Sequence, residues 1–143
     1  MDGSSESYDA ARVAHGLAER LRLELVMLYV AAVPTRPGVS AAPLGQERLV
    51  EAERAEGEEL LQRAVGELRL GERVRRRVEV GDTVERVLAV CEEERAAMVV
   101  LGSHGRGGVR RALLGSVSRD VAGKARCLVV IVPPGAVEHS PLP

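Results

Sequence analysis

Aromatic residues are almost absent: the 143 residues include no tryptophan or phenylalanine, and Tyr8 and Tyr29 are the whole complement. Single-stranded nucleic acid is held by stacking bases on aromatic side chains, so that mode of binding has no platform here, and the core must be aliphatic. Net charge is lacking too, with 20 basic residues against 21 acidic ones. No global field draws the chain to nucleic acid or to an anionic membrane, and any polyanion must be held locally. The two cysteines, Cys91 and Cys127, stand in no Cys-x-x-Cys or Cys/His cluster. This excludes a zinc site or a disulfide framework and leaves two buried apolar thiols as the expectation. No apolar run approaches the roughly 18 residues of a membrane span. The amino terminus is polar and acidic where a signal peptide is basic and then apolar, so a soluble cytoplasmic protein is expected. A chain of this length with 45% hydrophobic residues forms one domain with a real core.

What is present is an alternation of helical and buried-strand patterns. Ala10, Val13, Ala14, Leu17, Ala18 and Leu21 recur at helical spacing over Ser5 to Leu21, with Ser4 or Ser5 as cap and Glu6 in the first turn. Leu25 to Val30 is apolar on both faces, as a strand covered on both sides is. Ala31 to Gly45 carries Pro34, Pro37, Pro43 and Gly38 and reads as an exposed loop, a candidate lid. Gln46 to Leu70 predicts a surface helix, bent where Gly57 and Gly66 each cost about 1 kcal/mol relative to alanine. Arg73 to Val80 alternates valine with arginine and reads as an edge strand whose arginines are solvated. Asp82-Thr83-Val84-Glu85 has capping-box spacing ahead of a short helix. Met98 to Leu101 and Leu128 to Val132 are two further apolar runs, separated by a glycine-rich segment and a helix opening near Ser116. Helices alternating with strands that show no polar face predict a parallel sheet with helices on both sides. Residues 1–134 form the expected domain, and Gly135 to Pro143 a mobile tail.

Gly102-Ser103-His104-Gly105-Arg106-Gly107-Gly108 follows a buried strand directly, and Gly115-Ser116-Val117 opens the next helix. Glycines there permit positive φ and close approach of the backbone, while a helix N-terminus offers unpaired amides and partial positive charge to a phosphate. Arg106, Arg110 and Arg111 add local cationic charge. The segment is neither a P-loop nor a dinucleotide fingerprint, lacking Gly-Lys-Ser/Thr and Gly-x-Gly-x-x-Gly, and it holds no Gly-x-Ser-x-Gly elbow. His104 has no evident carboxylate partner and reads as a loop donor rather than a base. His15 falls on a helix surface and His139 in the tail. On their own, the glycines also suit a tight turn and Ser116 a helix cap.

The spacing Gly102, two residues, Gly105, nine residues, Gly115-Ser116 resembles the loop of the ATP-binding branch of the universal stress protein family. The resemblance extends to Asp2-Gly3-Ser4, similar to that family's first strand exit, to Leu25–Val30 and to Leu128–Val132. It implies a Rossmann-like sheet, of the adenine nucleotide alpha hydrolase-like kind, with strand order 3-2-1-4-5. It also implies ATP, with magnesium bridging the phosphates, held by the amides of Gly102, Gly105, Gly115, Ser116 and Val117 and by the Ser116 hydroxyl. Val30 presents backbone to adenine, Leu101 walls the base, Asp2 lies near the nucleoside, and Arg106 adds charge. A homodimer follows through the last strand, with Leu128, Val130 and Val132 at the interface, where an apolar edge needs cover.

One departure stands out: Met1 directly precedes Asp2, so the family's central first strand has no counterpart in the chain. The sequence reading favours a start further upstream over a closed sheet or a strand supplied by another chain. The function implied is a nucleotide-dependent regulator in stress response. A slow ATPase is the enzymatic runner-up, and a ligand-free dimeric module the structural alternative; no nucleic acid or membrane is expected as partner, and no catalytic residue is named.

Overall fold

The computed structural model describes residues 1–31, 43–71, 74–105 and 114–137, with four helices and four strands among them. Helix α1 (Ser5–Leu21) is capped by Ser4, whose hydroxyl accepts from the Ser7 amide at 3.2 Å. Arg22 closes it in the left-handed conformation and donates its amide back to Ala18 and Glu19. Strand β1 (Leu25–Ala31) follows after a short turn and buries Met27, Tyr29 and Ala31. These three pack with Ala11 of α1 and with Leu60, Leu61 and Ala64 of helix α2 (Pro43–Glu67) in one aliphatic cluster.

Two sequence readings change in α2. Pro43, assigned above to the loop, is the first helical residue, where its missing N–H costs nothing. Gly57 is a packing site and not a simple weakness: a Cβ there would lie 2.4 Å from Cδ1 of Tyr29, so the ring uses the space the glycine leaves. The rest of the expected lid, residues 32–42, lies outside the described residues.

Strand β2 (Val74–Val80) pairs parallel with β1, in register from Leu25 with Val74 to Ala31 with Val80. Its arginines are tied down more than an ordinary solvated edge requires. Arg75 binds Glu94, and Arg77 binds Glu93, Glu94 and Glu79, which joins β2 to the end of helix α3 (Thr83–Glu93). Hydrogen bonds from Arg75, then from Arg77, hold the Glu94 carboxyl below the usual carboxylate range. Arg73 is outside the described residues. Asp82 caps α3 by accepting from the Glu85 amide at 3.0 Å, as the capping-box spacing predicts.

Strand β3 (Met98–Gly102) leads toward helix α4 (Ser116–Lys124), and strand β4 (Leu128–Val132) pairs parallel with β3. The sheet is thus in two parallel pairs, β1 with β2 and β3 with β4. Helix α1 contacts β1, β3 and β4 and bridges the pairs, while α3 packs on β1, β2 and α4. This is the expected Rossmann-like order with its central position unfilled by a strand among the described residues. Cys91 and Cys127 are half-buried and form no disulfide, and burial together with the neighbouring Cys127 pushes the Cys91 thiol up to about 11. The tail does not start free: the Gly135 amide donates to Asp9 Oδ2 at 3.3 Å, which pins a turn at residues 133–136. Residues 138–143 lie outside the description, and no described helix is long and apolar enough to cross a membrane.

Candidate functional site

The carboxyl ends of β1 and β3, the start of α1 and the start of α4 converge on one cavity of about 1120 Å³. Open α/β sheets bind ligands at this end, because the loops there leave backbone groups unpaired. Val30 comes from the end of β1, Leu101 and Gly102 from the end of β3, and Asp2 from the segment ahead of α1. Gly105, Gly115, Ser116 and Val117 complete the lining expected from sequence, while Arg106, Arg110 and Arg111 lie outside the described residues.

Of the two freedoms the sequence reading gives these glycines, the fold uses close approach and not positive φ. Positive φ occurs at Gly3, Gly71, Gly81 and Gly135 and at none of Gly102, Gly105 and Gly115. Close approach is what these three allow. A Cβ on Gly102 would stand 3.0 Å from the backbone of Glu6, and one on Gly105 2.6 Å from Asp2 Oδ2. One on Gly115 would stand 3.0 Å from the carbonyl oxygen of Ser103. The strand end, the loop and the α4 start therefore close around the beginning of α1, and the Gly115 amide fastens the loop by donating to Ser103 at 2.8 Å.

Asp2 is fixed on its other side. Its Oδ1 accepts from the Ser4 amide at 3.0 Å and from the Ser4 hydroxyl at 2.6 Å, while Oδ2 faces Gly105. Ser103 is buried, with its hydroxyl 3.0 Å from Nδ1 of His104.

The start of α4 differs from those of α1 and α3. Ser4 and Asp82 cap α1 and α3 through their side chains, whereas Gly115 occupies the N-cap of α4 with no side-chain bond. Ser116, which the sequence offers as a cap, is instead the first helical residue and is exposed. The first-turn amides of α4 thus face the cavity without a capping oxygen, an arrangement suited to an anion.

Sequence reasoning missed Ser118. It is 5% exposed, and its hydroxyl donates to the Gly102 carbonyl at 2.7 Å, tying the first turn of α4 to the end of β3. Its partner is sixteen residues away, so local spacing carries no signal of the bond. At the other expected interface, Leu128 is 69% exposed on β4 and Val132 is buried within the chain.

A family model described as the Universal stress protein family matches residues 1–133. A universal stress protein of Methanocaldococcus jannaschii is 30% identical over 133 residues, covering 92% of this chain and 77% of that protein. A Mycobacterium tuberculosis universal stress protein is 36% identical over 135 residues; the match takes in 92% of this chain but only 43% of that longer protein. Among solved structures, universal stress protein UspA from Lactobacillus plantarum superimposes with a TM-score of 0.80 at 20% identity, covering 92% of both chains. The Archaeoglobus fulgidus universal stress protein in complex with dAMP matches with a TM-score of 0.60 at 20% identity, over 90% of this chain and 89% of that one. Other structures of the same fold are a cAMP complex and an AMP-bound protein from Arabidopsis thaliana, at TM-scores of 0.58 and 0.56. With a family model spanning residues 1–133 and relatives aligned along nine-tenths of its length, the chain belongs to the universal stress protein family.

Proposed function

We propose that the chain binds an adenine nucleotide in the cavity between β1, β3 and the start of α4, and acts as a nucleotide-dependent regulator in stress response. The observation that carries this reading is the uncapped α4 N-terminus, opening on the same cavity as Asp2 and Val30. Phosphates sit at the Ser116 and Val117 amides, where the helix end supplies partial positive charge. The Asp2 carboxylate accepts from ribose hydroxyls, and Val30 and Leu101 flank the base. ATP with magnesium is the form proposed, the ion bridging phosphate oxygens, while AMP, dAMP and cAMP in relatives make the adenosine moiety the shared element. Two copies meet along β4, where Leu128 is exposed.

Calorimetric titration with ATP and magnesium, AMP and cAMP tests the reading against Gly115→Val. The new side chain would press on Ser103 and His104, whose nearest atoms stand 3.0 and 3.5 Å from the Cβ position, and would displace the α4 start. Affinity should fall by about tenfold or more, roughly 1.4 kcal/mol, with the helical circular dichroism retained. Failure of the folded, unaltered chain to bind any of the three nucleotides overturns it.

A further inference from the structure

A second cavity, of about 380 Å³, opens between the end of α3 and the short connection from α4 to β4, and both cysteines line it. No local spacing marks this pair in the sequence; backbone bonds bring it together. Arg95 turns the chain past the end of α3 in the left-handed conformation, and the Ala96 amide donates back to the Cys91 carbonyl at 2.9 Å. One residue on, the Ala97 carbonyl accepts from the Leu128 amide at 3.3 Å, so β4 starts beside the end of α3 and Cys127 comes with it. Helices α3 and α4 pack on each other and hold this arrangement. The two thiols stand within hydrogen-bonding reach, and both residues are half-buried at the cavity wall rather than sealed in the core.

The two sulfurs are not equivalent. Loss of hydration, then the charge and hydrogen bond of Cys127, push the Cys91 thiol up to about 11, so Cys91 keeps its proton in neutral solution. The thiolate is the nucleophile in disulfide exchange, which makes Cys127 the attacking sulfur and Cys91 the resolving one. The rim selects the reagent by charge. Arg95, Lys124 and Arg126 line the cavity against a single acid, Glu92, whose carboxylate Arg126 already meets at 3.7 Å. That excess of positive charge raises the local concentration of an anion.

We propose that Cys91 and Cys127 form a thiol–disulfide exchange site, which an anionic low-molecular-weight disulfide oxidises to an intrachain Cys91–Cys127 bond. The Cys127 thiolate attacks one sulfur of the reagent, forming a mixed disulfide and expelling the first reagent thiolate. Cys91 then gives up its proton to that thiolate and attacks the Cys127 sulfur, which releases the second. The chain loses two electrons and two protons, and one disulfide is reduced to two thiols.

The test treats the folded, reduced chain with oxidised glutathione in the absence of oxygen and follows intact mass without reductant. The unaltered chain should lose two hydrogens, retain no glutathione and leave no thiol open to alkylation, and dithiothreitol should reverse the change. Cys91→Ser, which lacks the resolving sulfur, should keep one glutathione on Cys127, and Cys127→Ser should react more slowly than Cys91→Ser by about tenfold or more. Cystamine, a cationic disulfide, should oxidise the unaltered chain at most about a third as fast as oxidised glutathione at low salt, with the difference shrinking at high salt. Stable glutathione adducts on the unaltered chain, a disulfide-linked dimer, or reaction only after denaturation overturn the intrachain site. Equal rates in the two serine variants overturn the order of attack, and equal rates with the two reagents overturn the selection of an anion.

Discussion

Gly102, Gly105 and Gly115 are read easily from sequence because their spacing is a pattern, but the reason for each is tertiary. None has positive φ, and each gives up its side chain to a different neighbour: the Glu6 backbone, the Asp2 carboxylate and the Ser103 carbonyl. Ser118 illustrates the opposite case, a residue with no pattern and a definite job. Its buried hydroxyl satisfies the Gly102 carbonyl at 2.7 Å, so Ser118→Ala leaves that carbonyl short of a partner. The expected cost is about 1 kcal/mol. Melting should fall by roughly 3–5 °C in a chain of this size. Nucleotide affinity should weaken as well, because the hydroxyl holds the first turn of α4 against β3. An unchanged melting temperature would show that the bond contributes nothing. Legibility at this scale divides by sequence distance: capping by Asp82 of an amide three residues on is visible in the sequence, and a bond spanning sixteen residues is not.

Helix α2 shows why an element can be legible while its energetics are not. Its glutamate, arginine, leucine and alanine content predicts a helix over most of Pro43–Glu67, and propensity makes Gly57 and Gly66 equal weaknesses. The fold separates them. Nothing lies within 4 Å of a Cβ on Gly66, whereas one on Gly57 would lie 2.4 Å from the Tyr29 ring. Gly66→Ala should therefore stabilise the protein by roughly 0.5–1 kcal/mol, the gain from helix propensity alone. Gly57→Ala should destabilise it by about 1–3 kcal/mol, because overpacking against a buried ring outweighs the same gain. Thermal melts of the two variants decide the matter, and shifts of the same sign would refute the packing argument. The strands were legible for a simpler reason: four apolar or alternating runs bounded by glycine, proline and charge leave little choice of period. Pairing order was not written locally, and it came instead from a resemblance spread over the whole chain.

At the scale of the whole molecule, the outer edge of β4 is the one whose apolar surface calls for a partner. That edge lies on the side of the strand away from β3, where another protein surface can meet it. Leu128, 69% exposed at the start of that strand, is the most exposed large hydrophobic side chain among the described residues. An exposed apolar edge favours pairing with a second copy, and a two-fold arrangement lets each Leu128 cover the other chain. Sedimentation velocity across a concentration series should show a monomer–dimer equilibrium. Leu128→Glu should weaken it by about tenfold or more, since a desolvated carboxylate on each side of the axis opposes contact. Dimerisation of undiminished strength in Leu128→Glu would remove β4 from the interface.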